Sequence, residues 1–220
     1  MFEDIQRHRA RFARVHVPGV FARPAERLAL DALDAFAIDV ARFPKGKLAL
    51  GKIVADTMDL WIETTRADLD ALLPRVDLLI LNDSEARELT KETSLIKAGR
   101  RIRKSGPKYV AIKKGEHGAL LFGEDDFFSC GAYPLEDIHD PTGAGDTFAG
   151  GMAGYLASAD RTPTFADLRR AVIYGSVLAS FNVEAFSLER LRTLTMDEIR
   201  GRYEMFKAMS AFEELGRPQG

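Results

Sequence analysis

The stretch "IHDPTGAGDTFAGGM", residues 138–152, places several small residues and a single acid, Asp146, at the start of an apolar segment. Glycine costs about 0.5–1 kcal/mol relative to alanine in regular structure, so this density of glycine is expected to serve a close approach to the backbone. Pro141 fixes its own φ, and Thr142 is a candidate N-cap. Together these features predict a tight turn that opens a helix over about residues 145–158.

The backbone N–H groups of Gly143, Ala144 and Gly145 are expected at the open N-terminus of this helix. The small side chains and the helix dipole favour an anion there, and such N–H groups suit charge that develops on a transferred phosphoryl group. Asp146, in the first turn, can accept the proton of an alcohol that attacks phosphorus. In the alternative interpretation, Asp146 only complements the helix dipole and the glycines relieve crowding.

Short apolar runs and helical segments alternate on both sides of this turn. The predicted strands are apolar runs bounded by turn residues; they begin at Lys52 and continue over residues 77–81, 108–115, 118–123 and 127–133. The predicted helices are amphipathic segments. The first lies within residues 66–76 and is stopped by Pro74. The others cover residues 83–93, 94–106, 167–182 and the stretch from Ser187 onward. This alternation predicts an α/β protein with three layers, α/β/α, around a mostly parallel central sheet.

Two other glycine patterns match known nucleotide-binding motifs only in part. The run "GKLALGKI", residues 46–53, has the glycines and lysine of a Walker A loop, but Ile53 stands where Ser or Thr would bind magnesium. The run "GAGDTF" starts like a dinucleotide fingerprint but lacks its third glycine. A Rossmann-like protein that binds NAD therefore stays as a less favoured alternative.

Charge and cysteine content restrict the classes of partner and the compartment. The 220 residues include 31 Lys and Arg and 33 Asp and Glu, for a net charge of −2. This balance gives no electrostatic reason to expect nucleic acid or an anionic membrane as a partner. Cys130 is the only cysteine, so no internal disulfide can form. We therefore expect a cytoplasmic protein with no nucleic-acid partner and no membrane partner.

Four motifs, in order, carry a family resemblance. "DPTGAGDTFAGG" (140–151) resembles the C-terminal signature of the ribokinase/PfkB carbohydrate and nucleoside kinases, and "LILNDSEAREL" (79–89) resembles their N-x-x-E motif. "VAIKKGEHGALLF" (110–122) is similar to their strand–G-x-x-G–strand nucleotide segment, and "YGSVLASFNVEAF" (174–186) to the helix that closes over the adenine. The match covers about residues 48–195, and it implies a ribokinase-like fold.

The resemblance implies a function for the glycine turn. Asp146 would be the catalytic base for the acceptor hydroxyl, and Gly143, Ala144 and Gly145 would form the anion hole for the γ-phosphate of ATP. The implied activity is transfer of that phosphate to an alcohol group of a sugar or nucleoside. ATP and Mg²⁺ are the implied cofactors, with a monovalent cation as a further candidate.

Asn82 and Glu85 would hold hydrated Mg²⁺ and the phosphates indirectly, through water, in a member of this family. A carboxylate with an amide beside it suits Mg²⁺, which keeps several waters and is often held by few protein ligands. The alternative is a capping box, in which Asn82 caps a helix and Glu85 bonds back to it, worth about 1 kcal/mol without any catalytic role.

Four further residues would bind the nucleotide by the same resemblance. Gly115 and Gly118 would let the nucleotide lie against the sheet edge, although an ordinary hairpin turn also explains them. Lys113 stands where many relatives have threonine, and it would either reach a phosphate or be solvated. Asn182, near the end of the adenine-side helix, would contact the nucleotide or simply terminate the helix.

The resemblance begins only at about residue 45. We therefore predict an atypical segment over residues 1–44, a ribokinase-like core with the ATP and catalytic half-site over 45–213, and a flexible tail over 214–220. Relatives carry sugar-gripping groups ahead of the matched part, so the N-terminal part of the fold is expected to be truncated. This leaves a second reading, a non-catalytic nucleotide-binding remnant, and an exposed sheet edge makes a homodimer a candidate assembly.

Overall fold

A computed structural model describes residues 54–57, 59–64, 66–158 and 161–213 of the chain. The predicted N-terminal segment over 1–44, the Walker-like run over 46–53 and the predicted tail over 214–220 all lie outside the described residues.

One sheet contains five strands, which lie side by side in the order in which they occur along the chain. The strands are β1 (Val54–Asp56), β2 (Leu78–Asn82), β3 (Tyr109–Lys113), β4 (Ala119–Phe122) and β5 (Phe127–Cys130). β1 and β2 are parallel, with Val54 opposite Leu78. The turn between β3 and β4 is too short for a parallel crossover, so these two strands run antiparallel.

The helices alternate with the first three strands and then follow one another after β5. They are α1 (Asp59–Thr64), α2 (Arg66–Leu72), α3 (Asp83–Thr90), α4 (Leu95–Lys104), α5 (Ala144–Ala157), α6 (Phe165–Asn182), α7 (Glu189–Thr193) and α8 (Met196–Ser210). Two 3₁₀ turns cover Leu73–Arg75 and Gly115–His117. Pro74 lies in the first of these turns, directly after α2, as the predicted helix stop requires. The helix-connected strands confirm the predicted α/β class with a mostly parallel sheet.

The prediction of one long helix from Ser187 onward is wrong. Ser187 has a φ of +55°, which does not occur in a right-handed helix, and the chain then forms two helices, α7 and α8. Thr195 separates them because its side chain accepts a hydrogen bond from the N–H of Glu198, while the Glu198 carboxylate accepts one from the N–H of Thr195. This capping box makes residue 195 a helix start rather than a helix interior.

The chain divides into two compact units. Among the described residues, the first unit contains β1, β2, most of β3 and the helices α1–α4. Its core includes the whole of β2 up to Leu81, whose side chains are buried on both faces of the sheet. A continuous apolar run of this kind is typical of a strand that is covered by helices on both sides.

The second unit contains Lys113–Leu121, Asp126–Leu156 and residues 163–213 of the described chain. A cluster of Val177, Phe181, Ile199 and Phe206 joins α6 to α8. The guanidinium of Arg202 lies 3.4 Å from the ring centre of Phe181, so this cluster is closed by a cation–π contact.

Candidate active site

The predicted glycine turn lies directly before α5. Gly143, which precedes the first helical residue, has a φ of +81°, a conformation that favours glycine. The backbone N–H of Thr142 donates to Oδ1 of Asp140 at 2.9 Å. Thr142 therefore belongs to the turn, and its predicted position as the N-cap is one residue too early.

The three predicted anion-binding N–H groups differ in their partners. The N–H of Ala144 donates to the carbonyl oxygen of Pro141 at 3.2 Å, so it is already used within the turn. In the part of the chain that the structure describes, the N–H groups of Gly143 and Gly145 have no protein acceptor. Of these three N–H groups, two are thus open to an anion, and that of Ala144 would have to share its present bond.

Asp146 lies in the first turn of α5 with an exposed side chain. Its carboxylate makes no hydrogen bond or ion pair with any other described residue. The end of β3 brings a cation to the same place, because a β-carbon at position 145 would lie 3.2 Å from Nζ of Lys113. The structure therefore brings together Asp146, Lys113 and the N-terminus of α5, an arrangement that combines a free acid with two features attractive to phosphate.

Gly115 and Gly118 have different surroundings in the turn between β3 and β4. Gly115 is exposed with a φ of +55°, and a β-carbon there would have nothing within 4 Å. Gly118 is buried, and a β-carbon there would lie 2.1 Å from the carbonyl oxygen of Cys130. Gly118 is therefore required by the contact with the end of β5, whereas Gly115 leaves open space beside the turn.

Asn82 and Glu85, in the first unit, form the capping box of α3. Oδ1 of Asn82 accepts from the N–H of Glu85 at 2.8 Å, and Oε2 of Glu85 accepts from the N–H of Asn82 at 2.7 Å. The hydroxyl of Thr57 also donates to Oε2, at 3.1 Å, and Glu85 is only 5% exposed. The structural alternative is thus realised, and the metal role of the pair stays a prediction.

This donor set fits Mg²⁺ in the indirect mode alone. Carboxylate and amide oxygens suit the ion, but the only side-chain oxygen of Asn82 and one of the two oxygens of Glu85 are already used in the capping box. No cluster of three or more His, Cys, Asp or Glu with metal-binding geometry occurs among the described residues. Contact through the waters of a hydrated ion is therefore the mode that we consider for this pair.

Asn182, the last residue of α6, is 1% exposed. Its Nδ2 donates to the carbonyl oxygen of Thr142 at 2.9 Å, and its Oδ1 accepts from the hydroxyl of Thr147 at 2.9 Å. The side chain thus contacts the glycine turn, and its predicted contact with a nucleotide is not tested by these bonds. Sequence reasoning missed this role, since nothing in the local pattern relates residues separated by 35 and 40 positions.

Asp140 supports the other side of the turn. The N–H and hydroxyl of Thr142 hold the pKa of this carboxyl below its ordinary value, and the N–H of Ser187 adds a weaker hydrogen bond. Asp140 therefore stays ionised and fixes the residues that lead into α5.

A separate cleft of about 290 Å³ lies in the second unit. Its lining consists of Phe128, Ala166, Arg169, Arg170, Ile173 and Tyr203. None of the predicted site residues contributes to it, and Arg170 is already paired with Asp167 at 3.0 Å.

Solved structures of kinases share this fold. The chain superposes on aminoimidazole riboside kinase from Salmonella enterica with a TM-score of 0.60 and 23% identity, over 69% of this chain and 52% of that one. It superposes on ribokinase from Thermotoga maritima with a TM-score of 0.57 and 21% identity, over 70% and 49%. The fold is thus of the ribokinase type, and the prediction of that fold is confirmed.

Sequence relatives lead to the same class. The chain is 39% identical over 90 residues to a cytidine kinase of Thermococcus kodakarensis, covering 40% of this chain and 32% of the relative. It is 33% identical over 139 residues to a nucleoside kinase of Methanothermobacter thermautotrophicus, covering 62% and 41%. The chain therefore spans well under half the length of these two curated relatives.

The sequence model of the family described as "pfkB family carbohydrate kinase" matches residues 47–191, which is more than half of the chain. The chain belongs to the pfkB family of carbohydrate kinases, as its four motifs predict. Membership in this family favours the kinase interpretation over the dinucleotide-binding alternative. No helix among the residues that the structure describes has the length and apolar character needed to cross a bilayer.

Proposed function

We propose that this chain carries the phosphoryl-transfer part of an ATP-dependent kinase that acts on an alcohol group of a sugar or nucleoside. The observation that supports this most directly is the single cluster of Asp146, the open N–H groups at the start of α5 and Nζ of Lys113. The names of the relatives, a cytidine kinase and a nucleoside kinase, make nucleosides the first acceptors to test.

In the proposed reaction, the carboxylate of Asp146 accepts the proton of the acceptor hydroxyl as its oxygen attacks the γ-phosphorus. A new O–P bond forms, the bond between the γ-phosphorus and its bridging oxygen breaks, and ADP leaves. The N–H groups of Gly143 and Gly145 would donate hydrogen bonds to the transferred group and stabilise its charge. The N–H of Ala144 would add a weaker bond, because it also donates to the carbonyl of Pro141. Lys113 would add a positive charge beside Gly145, where the helix dipole already favours an anion.

Asn82 and Glu85 would hold a hydrated Mg²⁺ through its waters. When bound, this ion neutralises charge on the phosphates of the nucleotide. Gly115 would allow a nucleotide to approach the turn after β3, because no atom of the described residues lies within 4 Å of where its β-carbon would be.

Several broader properties expected from the sequence belong to the same proposed function. They are a cytoplasmic location, a monovalent cation as a further candidate cofactor, no nucleic-acid partner, a candidate homodimer, and the division at residues 1–44, 45–213 and 214–220. The non-catalytic nucleotide-binding remnant is the alternative that the following experiment separates from the kinase.

The test is a phosphoryl-acceptor screen with γ-labelled ATP, Mg²⁺ and a panel that includes cytidine, other nucleosides and ribose. We expect transfer of label to at least one acceptor, and Asp146→Asn is expected to reduce turnover at least about 100-fold because it removes the general base. ATP affinity, measured by calorimetry, should stay nearly unchanged, since the substitution keeps the size and removes only the charge.

Asp197→Asn is the matched control. Asp197 is also an exposed acid in the first turn of a helix, α8, where it lies 3.9 Å from Arg200. This control should keep wild-type turnover. Equal turnover in the Asp146 variant and wild type would contradict the assignment of the base, whereas ATP binding without transfer to any acceptor would support the remnant.

A further inference from the structure

The end of α6 holds the glycine turn through one buried side chain. Asn182 is 1% exposed, and its two polar groups bond on either side of the turn, Nδ2 to the carbonyl of Thr142 and Oδ1 to the hydroxyl of Thr147. A carboxamide supplies one donor end and one acceptor end, and these two partners need both. An aspartate at this position would keep the acceptor and lose the donor, so it would match only one of the two partners.

The backbone next to Asn182 holds the residues that enter the turn. The carbonyl oxygen of Val183 accepts from the N–H of His139 at 2.9 Å and from the N–H of Asp140 at 3.3 Å. The N–H of Ser187 donates back to Oδ2 of Asp140 at 3.3 Å. The turn is thus attached to the C-terminal end of α6 on both flanks, and Asn182 supplies the buried part of this attachment.

The bond to Thr142 has a second consequence for the helix start. The Thr142 carbonyl is the acceptor that the N–H of Asp146 would use if α5 began one residue earlier. Asn182 occupies this carbonyl, and among the described residues the N–H of Asp146 has no acceptor. The same contact therefore stabilises the turn and leaves one more N–H group directed out of the helix end.

We propose that Asn182 is a positioning residue for phosphoryl transfer, which acts through Thr142 and Thr147 to hold Asp146 and the N–H groups in register. This inference rests on the proposed function for its catalytic part. Thr147 is the neighbour of Asp146, so a change in its bond to Asn182 alters the direction of the base. Misplacement of a reacting group by a small distance lowers the rate of the chemical step more than it lowers affinity.

The test uses a near-isosteric pair of variants. Thr147→Val removes the hydroxyl that Asn182 accepts from, whereas Thr147→Ser keeps it. We expect Thr147→Val and Asn182→Asp to lower kcat at least about tenfold while the Kd for ATP changes less than about threefold. Thr147→Ser, which keeps the hydroxyl, should have a kcat within about twofold of the wild type.

A control and a second readout separate this inference from the proposed function. Ser176→Ala removes a buried hydroxyl of α6 whose hydrogen-bond partners, the carbonyl of Val172 at 3.0 Å and the thiol of Cys130, lie outside the glycine turn, and it should leave kcat unchanged. The second readout is amide hydrogen exchange in the peptide over residues 140–148, which can be measured whether or not the protein is catalytically active. It should accelerate at least about fivefold in Thr147→Val and Asn182→Asp, and not in Ser176→Ala.

Each outcome decides the inference. Faster exchange with a lower kcat, an unchanged Kd and rescue by serine supports it. Unchanged exchange in both variants overturns it, as does a loss of kcat that serine does not rescue. If the wild-type chain transfers no phosphate, the proposed function fails, and exchange alone then decides whether Asn182 holds the turn.

Discussion

Gly118 shows how one position in the sequence can be set by sterics alone. Its backbone has a φ of +87° and a ψ of −140°, a region that side chains with a β-carbon rarely adopt. A β-carbon there would also lie 2.1 Å from the carbonyl oxygen of Cys130 and 2.4 Å from the carbonyl carbon of Gly131. Both atoms belong to the backbone at the end of β5, so neither can move without disturbing the sheet.

We therefore expect Gly118→Ala to lower the free energy of unfolding by at least about 2 kcal/mol, from backbone strain and overpacking together. Urea unfolding followed by circular dichroism measures this change. Gly131→Ala is the matched control, because a β-carbon at 131 would have nothing within 4 Å. A Gly118 variant as stable as the Gly131 variant would show that the turn can relax.

At the scale of elements, α5 and α6 approach each other at glycines. A β-carbon on Gly175 of α6 would lie 2.6 Å from the carbonyl oxygen of Phe148 and 3.1 Å from Cγ of Met152. A β-carbon on Gly151 of α5 would lie 3.0 Å from the Cα of Gly175. The small residues that follow the glycine turn in the sequence thus set the distance between the two helices that also hold Asn182 and Asp146.

Gly175→Ala is expected to destabilise the protein by about 2–3 kcal/mol, because the added methyl group meets backbone rather than a movable side chain. Gly154→Ala, at an exposed position in α5 with open space around it, should instead stabilise by about 0.5–1 kcal/mol. Thermal unfolding of the two variants measures the contrast. A Gly175→Ala variant as stable as the Gly154→Ala variant would contradict the close packing of the two helices.

The first turn of α8 contains a carboxyl group, that of Glu198, whose protonation affects the stability of the fold. The hydroxyl and N–H of Thr195, with the guanidinium of Arg190, lower the pKa of Glu198 from 4.5 to about 2. A carboxyl whose pKa is lower in the folded state stabilises the fold above its unfolded pKa, and this contribution disappears as the pH falls through the folded pKa. The contribution of Glu198 is therefore complete above about pH 4.5 and lost towards pH 2.

Glu198→Gln is accordingly expected to lower the Tm at pH 6, and the difference from wild type should shrink as the pH falls from 4.5 to 2. Calorimetric scans across this range measure it. Glu204→Gln, at an exposed position of the same helix 3.5 Å from Lys207, should change the Tm at pH 6 less. A difference for Glu198→Gln that grows on acidification would show that the sign is wrong.

At the scale of the whole molecule, the residues of the proposed function are distributed over both compact units. Asn82 and Glu85 belong to the first unit, whereas Lys113, Asp146 and Asn182 belong to the second. A nucleotide that binds the folded chain and not the unfolded chain stabilises it by mass action, whichever of these groups it contacts. Nucleotide binding can therefore be measured through stability without any turnover.

ATP with Mg²⁺ at about 100 times its Kd is expected to stabilise the chain by about 2.7 kcal/mol, with a corresponding rise in Tm. Scanning calorimetry measures the rise, and Asp146→Asn should retain it, since the base is not needed for nucleotide binding. NADH at the same concentration serves as the control and should produce no rise. A shift with NADH and none with ATP would favour the dinucleotide-binding alternative.

The sequence was sufficient for several features that depend on neighbouring residues. The alternation of strands and helices, the stop at Pro74 and the capping box of Asn82 with Glu85 follow from local patterns, and the structure contains all three. The helix break at Thr195 was also present as a local signal, in the spacing of Thr195 and Glu198, but the helix predicted from Ser187 onward runs across it.

The sequence by itself determined the α/β class, the family and the order of the motifs, because each depends on residues close together in the chain. The tertiary structure alone decided that Lys113 lies beside Gly145, that Gly118 meets the end of β5 and that Asn182 bonds to Thr142 and Thr147. These contacts join residues that are distant in sequence. Their distances and hydrogen-bond directions exist only once strands and helices have packed, so no local pattern encodes them.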